Sequence, residues 1–227
     1  MTHPTRNREA FFEGQALHAI SLACLLALLT AATMLDGFTN GDFLGVSTSM
    51  WVIAAVSNAI IHQVYVWLCW RFELGTQALT RVFGQRGFLF YQIGFAFLII
   101  ARPILAFALS WANRSTAPID PLLGYIVAGI CFTLAAYMMF SVKTYFSFER
   151  AFGIDHFDAS FRDKPLVRQG MFRWSPNAMY VFGFLILWAP AFLFQSTAGL
   201  VVAAFSHAYI WVHYFCTERP DMRRIYG

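Results

Sequence analysis

The sequence predicts an all-α, polytopic membrane helix bundle of about six transmembrane helices. Composition is the first observation behind this: of 227 residues, 59% are hydrophobic and only 12% are charged, against about 25% charged in a soluble domain. Mean hydropathy is +0.56. The second observation is a set of six apolar runs, at roughly 16–35, 48–70, 88–112, 122–148, 178–195 and 198–216. At about 1.5 Å per residue, runs near 20 residues reach across the hydrocarbon of a bilayer. Helices are the default there, because lipid cannot satisfy open backbone groups. The third observation is the placement of the basic residues. The length suits a single integral membrane domain, 1–227, with N-terminal spans up to 121 and a motif-bearing region over 122–227.

The first run follows Glu9 and Glu13 as well as arginines, and it is too long for the apolar core of a signal peptide. It reads as a retained span. The second and third runs are uninterrupted except for Arg102-Pro103, and the fourth carries Lys143 near its end. The longest polar segment comes next, from about Glu149 to Asn177. The last two runs form a hairpin that pauses at Gln195-Ser196-Thr197 and is interrupted by Pro190 and Gly199. If both halves cross, Arg173–Tyr180 and Glu218–Arg219 end on the same side.

Thirteen of the 16 basic residues fall in alternate segments. The N-terminal tail has Arg6 and Arg8, and the second loop has Arg71, Arg81 and Arg86. The fourth loop has Arg150, Arg162, Lys164, Arg168 and Arg173, and the C-terminal tail has Arg219, Arg223 and Arg224. The first, third and fifth loops hold only Arg114. By the positive-inside rule both termini, the fourth loop and the Glu218 segment are cytoplasmic. The net charge of +4 therefore reads as topology, and no nucleic-acid partner is expected. The four cysteines, Cys24, Cys69, Cys131 and Cys216, lie in or beside apolar runs without CxxC spacing, and read as reduced, packed thiols.

Arg102 has two readings: a side chain snorkelling to the outer interface or to Asp120, or the lining of a polar cavity at a proline kink. Lys143 reads as a snorkelling residue. His207 and His213 are six apart, on nearly opposite faces of one helix, and His18 and His62 are isolated, so no metal site is expected. No GxGxxG, GxxxxGKS or GxSxG occurs. The dense group of titratable residues is Asp155, His156, Asp158 and Asp163, set among Phe152, Phe157, Phe161, Phe172 and Trp174. Such a mixture suits the headgroup level.

The remaining constellation brackets the hairpin. Gly170-Met171-Phe172-Arg173-Trp174-Ser175-Pro176-Asn177-Ala178-Met179-Tyr180 enters it, and Glu218-Arg219-Pro220 leaves it. Taken singly, the first is a glycine turn with a Ser-Pro helix start and the second a charged stop. Together they resemble the membrane methyltransferases that include phosphatidylethanolamine N-methyltransferase and isoprenylcysteine carboxyl methyltransferase. Gly170, Phe172, Arg173, Trp174, Asn177, Met179 and Tyr180 follow the first family motif. Glu218, Pro220, Met222, Tyr226 and Gly227 follow the second. Phe152-Gly153-Ile154 is similar to the tripeptide before the loop in the phospholipid branch, and alignment on it puts Ala128-Gly129-Ile130 at the family's small-residue cofactor contact. The resemblance covers about 122–227. Pro176, Ala178 and Arg219 depart from the pattern, and the chain ends at Gly227 without the tyrosine-bearing tail that usually follows.

The resemblance implies S-adenosylmethionine as methyl donor, held by Ala128, Gly129, Ile130, Gly170, Arg173, Asn177, Tyr180, Glu218 and Arg219. Glu218 suits the donor's ammonium, and Arg219, Arg168 or Arg173 its carboxylate. The implied acceptor is a phospholipid amine entering from the bilayer, whose departing proton His156 or Asp155 would take. Rival readings are methylation of an isoprenylcysteine carboxylate or a small thiol, a steroid-reductase-like enzyme using NADPH, and a transporter working through Arg102 and Lys143.

Overall fold

The computed structural model describes residues 10–227; Arg6, Arg8 and Glu9 of the N-terminal tail lie outside them. The elements are helices α1 (Gln15–Ala32), α2 (Thr48–Thr76), α3 (Ala78–Phe83), α4 (Gly87–Ala112), α5 (Pro121–Ser141), α6 (Phe148–Ala151), α7 (Leu185–Leu193), α8 (Thr197–His213) and α9 (Arg219–Tyr226). A two-residue-per-strand hairpin, Asp42–Phe43 with Val46–Ser47, precedes α2. The fold is the all-α membrane bundle that the hydropathy predicts.

Five helical rods are long and apolar enough to cross a membrane: Ala10–Ala32, Thr48–Thr76, Ala78–Ala112, Pro121–Phe146 and Thr197–Tyr226. The expected fifth span is shorter than its apolar run. Met179–Leu193 covers about 22 Å of rise, against about 30 Å of hydrocarbon. Pro190 lies inside its α-helical part, and a π turn forms its first five residues. The sixth run, by contrast, continues without a break into α9.

Lipid tails are as apolar as leucine, so burying carbon drives helix association only weakly in a bilayer. Close packing and buried hydrogen bonds carry more of the load. α5 shows the first device. Gly124, Ala128, Cys131 and Ala135 recur every three to four residues and are all buried, and a methyl group on Gly124 would stand 2.7 Å from the Phe192 carbonyl. This stripe of small side chains lets α5 approach α7 closely. Asn113, fully buried, shows the second device. Its amide nitrogen donates to the carbonyls of Gly37, at 2.7 Å, and Asn40, at 2.9 Å. Its oxygen accepts from Ser196 Oγ and from the Ala198 N–H. One residue thus ties the first loop, α4 and the start of α8 together at the end of the bundle away from the motifs.

The largest apolar core joins Val52, Val56 and Ala59 of α2 with Leu109 of α4 and Val202, Phe205 and Tyr209 of α8. α1 leans on this core from outside. His18 is its one buried residue, and His18 Nε2 hydrogen-bonds to the Tyr209 hydroxyl at 2.9 Å. The histidines that look isolated in the sequence are therefore polar fasteners between helices.

Two sequence expectations are corrected here. Arg71 is not a loop charge: α2 runs on to Thr76 and buries it. Arg102 does not reach Asp120. It is buried within α4, while Asp120 caps α5 by accepting the Leu123 N–H at 3.1 Å.

Candidate active site

Three π-helical stretches occur among the described residues: Val142–Phe146, Met179–Gly183 and Tyr214–Glu218. They close α5, open the helix leading to α7 and close α8, and all three lie at the motif end of the bundle. A π turn inserts one residue into the helical ladder and re-aims the side chains after it, and such turns concentrate at functional sites.

Two of these turns carry the bracketing motifs. Tyr180, on the second, donates its hydroxyl to Glu218 Oε2 on the third. The Tyr180 ring is held by Tyr214 and Trp211, at centroid distances of 5.8 and 5.9 Å. Among the described residues, Glu218 Oε1 has no hydrogen-bond partner. The hairpin therefore returns to the end of the bundle where it begins, and the two motifs meet.

The entry segment is pinned to the end of α5. Gly170 has φ +56°, and a methyl group there would stand 2.5 Å from Ser141 Oγ, so both backbone conformation and space call for glycine. Ser141 Oγ accepts the Met171 N–H at 3.1 Å. Met171 and Phe172 pack with Met138 and Val142. Beyond them the chain turns outward. Arg173 is exposed over the Trp174 ring, and Trp174 is 71% exposed. The Asn177 carbonyl accepts the N–H groups of Tyr180 and Val181 and so starts the π turn.

Asp155 and His156 sit in a buried 3₁₀ turn, Ile154–His156. Gly153, at φ +84°, lets this turn lie against the Trp70 indole. The His156 ring stacks on Trp70 at 4.0 Å and 18°. Its Nδ1 donates to the Gly153 carbonyl at 3.0 Å, because a carbonyl can only accept. Its Nε2 stands 3.7 Å from Asp221 Oδ2. Asp221 in turn receives Arg71 Nε at 2.6 Å and Arg224 Nη1 at 3.0 Å. Arg71 also donates to the carbonyls of Phe11, Glu13 and Thr217, which locks the segment before α1 against the end of α8. Asp155 is buried and its Oδ1 is unpartnered. Asp158, outside the helices, is held below the usual carboxylate range chiefly by the Ser160 backbone N–H.

The structure thus gathers Gly170, Asn177, Tyr180, Glu218, Asp155 and His156 at one end. It does not bring Ala128, Gly129 and Ile130 there. Ala128 lies about 20 Å along the helix from Ser141 and fills the seam with α7. A methyl group on Gly129 would meet open space, and Ile130 is 54% exposed. Arg219 is exposed over the Phe215 ring at 5.9 Å and reaches neither Tyr180 nor Glu218. The sequence reading missed Arg71, Trp70 and Asp221. The available signal was Asp221 standing three residues, about one helical turn, after Glu218.

Residues 123–227 match the phospholipid methyltransferase family model. No curated protein and no solved structure matches the chain. The phospholipid methyltransferase match begins within α5 and contains all three π turns and every candidate site residue. Arg71 and Trp70 lie before it, so part of what supports the matched region comes from a helix the family model does not cover.

Proposed function

We propose that the protein transfers a methyl group from S-adenosylmethionine to a phospholipid amine that enters from the bilayer. The observation that carries this is the Tyr180–Glu218 hydrogen bond, which joins the two motifs of the matched region in one place.

The residues present fit the donor. Its methionine end is a zwitterion with an adjacent sulfonium, and it needs one anionic and one cationic contact. Glu218 offers a carboxylate oxygen that no described residue occupies. Arg173 and Arg219 are exposed cations with no carboxylate partner among the described residues. Glu218 would hold the ammonium, and Arg173 or Arg219 the carboxylate. When bound, the donor supplies an electrophilic methyl group, and alignment with the acceptor nitrogen provides much of the rate. Tyr180 fixes the Glu218 carboxylate in one orientation. The amine loses a proton as it is methylated, and of the two candidate bases Asp155 is better placed, with a free Oδ1. His156 has no exposed side-chain surface, and we assign it to positioning Asp155 and Asp221.

We place the site on the cytoplasmic face. With Arg71 removed from the count of loop charges, the basic residues of the second loop, the fourth loop and the C-terminal tail still cluster at this end. A soluble donor is available on that side.

The test is transfer of labelled methyl from S-adenosylmethionine into the lipid extract of phosphatidylethanolamine vesicles carrying the purified protein. Label in the lipid that Glu218→Ala abolishes supports the proposal. Absence of label from every lipid with the wild-type protein contradicts it.

A further inference from the structure

Arg102 is the one arginine or lysine that the described bundle buries without a carboxylate. Its guanidinium cannot shed its proton at ordinary pH, so a full positive charge stands inside α4. It lies about 22 Å along the helix from Gly87 and about 15 Å from Ala112, too deep for the side chain to reach either surface. Arg102 Nε donates to His62 Nδ1 at 3.2 Å, and Nη2 donates to the Ala59 carbonyl at 3.3 Å. The Phe184 ring lies 5.4 Å from the guanidinium carbon. Each of these partners is neutral.

Nη1 is buried and has no partner. His62 accepts on Nδ1, so its own proton is on Nε2, and that buried donor is unpartnered as well. The neighbourhood therefore has more N–H groups than acceptors and a charge that nothing balances. Arg102 also lines a small cavity with the Ser206 hydroxyl and the side chains of Ala55, Ala106, Leu187 and Val202. The cavity has room on the scale of a single water molecule. A water placed there satisfies one donor and leaves the charge. A monatomic anion, only slightly larger, satisfies the donor and neutralises the charge.

We propose that this cavity binds one monatomic inorganic anion, with Arg102 Nη1 and Ser206 Oγ as its polar ligands and chloride as the occupant under ordinary conditions. The anion locks α2, α4, α7 and α8 together at mid-bundle. Its role is independent of the methyl-transfer proposal, since the cavity lies away from Tyr180 and Glu218. The apolar walls leave no room for a tetrahedral phosphate, so neither a lipid phosphate nor free phosphate substitutes.

Thermal unfolding of the purified full-length protein in detergent tests this, at constant ionic strength, with sodium chloride exchanged stepwise for sodium gluconate. The midpoint should rise by a few degrees with chloride, saturably, while gluconate and phosphate have no effect. Ser206→Ala should weaken half-saturation severalfold, and Arg102→Met should remove the chloride response. If Arg102→Met does not fold, crystals of the wild-type protein grown in bromide decide the matter: an anomalous peak in contact with Arg102 supports the site. Equal midpoints in chloride and gluconate, or bromide crystals without that peak, would show a cavity holding water only and overturn the proposal.

Discussion

Tyr180 and Glu218 are 38 residues apart in the chain, and a hydroxyl-to-carboxylate hydrogen bond joins them across the two arms of a helical hairpin. Each sits on a π turn, and the extra residue in each turn aims the two side chains at one another.

Glu218→Ala should weaken binding of S-adenosylhomocysteine by about 10–100-fold, the usual worth of a hydrogen bond to a charged group. Tyr180→Phe keeps the carboxylate but frees it to rotate, and should cost about fivefold. Titration calorimetry on detergent-purified protein checks both.

The Arg71–Asp221 pair is buried, so breaking it leaves an uncompensated charge. Arg71→Met and Asp221→Asn should each destabilise the protein by about 3–5 kcal/mol. The double variant should recover part of that loss, because it leaves no lone charge. Thermal unfolding of the four proteins gives the cycle.

Glycine positions separate packing from binding. Gly170→Ala forces a side chain into the left-handed region against Ser141 and should cost about 1–3 kcal/mol. Gly129→Ala meets open space and should change stability by less than about 0.5 kcal/mol, with S-adenosylhomocysteine affinity unaltered. A large loss of affinity in Gly129→Ala would return the Ala128–Ile130 triplet to the donor site.

The two candidate bases should behave differently. Asp155→Asn should slow turnover by about 10²-fold or more while leaving donor affinity within a few-fold. His156→Asn should lower the unfolding midpoint, because His156 stacks on Trp70 and faces Asp221. Steady-state kinetics set beside thermal unfolding distinguish a chemical role from a positioning one.

Much of this architecture is legible in the residue pattern. Apolar runs mark where the helices lie, and the Asn177–Tyr180 and Glu218 segments stand out as a pair that meets in the fold because motif spacing survives in linear sequence. The errors have a common physical origin. Arg71 reads as a loop charge because its partner, Asp221, is 150 positions away and local pattern carries no record of such a pairing. Small residues serve close helix packing as well as cofactor approach, so pattern alone does not separate the two uses at Ala128-Gly129-Ile130, and the Gly129→Ala affinity measurement does. The fifth run reads as a full span because hydropathy does not register that its helix stops at Leu193, with Phe194 and Gln195 spent on the turn into α8.

The central claim is that Glu218 and its Tyr180 partner form one binding site for a sulfonium-type methyl donor. Calorimetric titration of the purified wild-type protein with S-adenosylhomocysteine and, separately, with NADPH tests it most directly. The account predicts saturable binding of S-adenosylhomocysteine, weakened by Glu218→Ala, and none of NADPH. Binding of NADPH in place of S-adenosylhomocysteine, or S-adenosylhomocysteine affinity indifferent to Glu218→Ala, would contradict it.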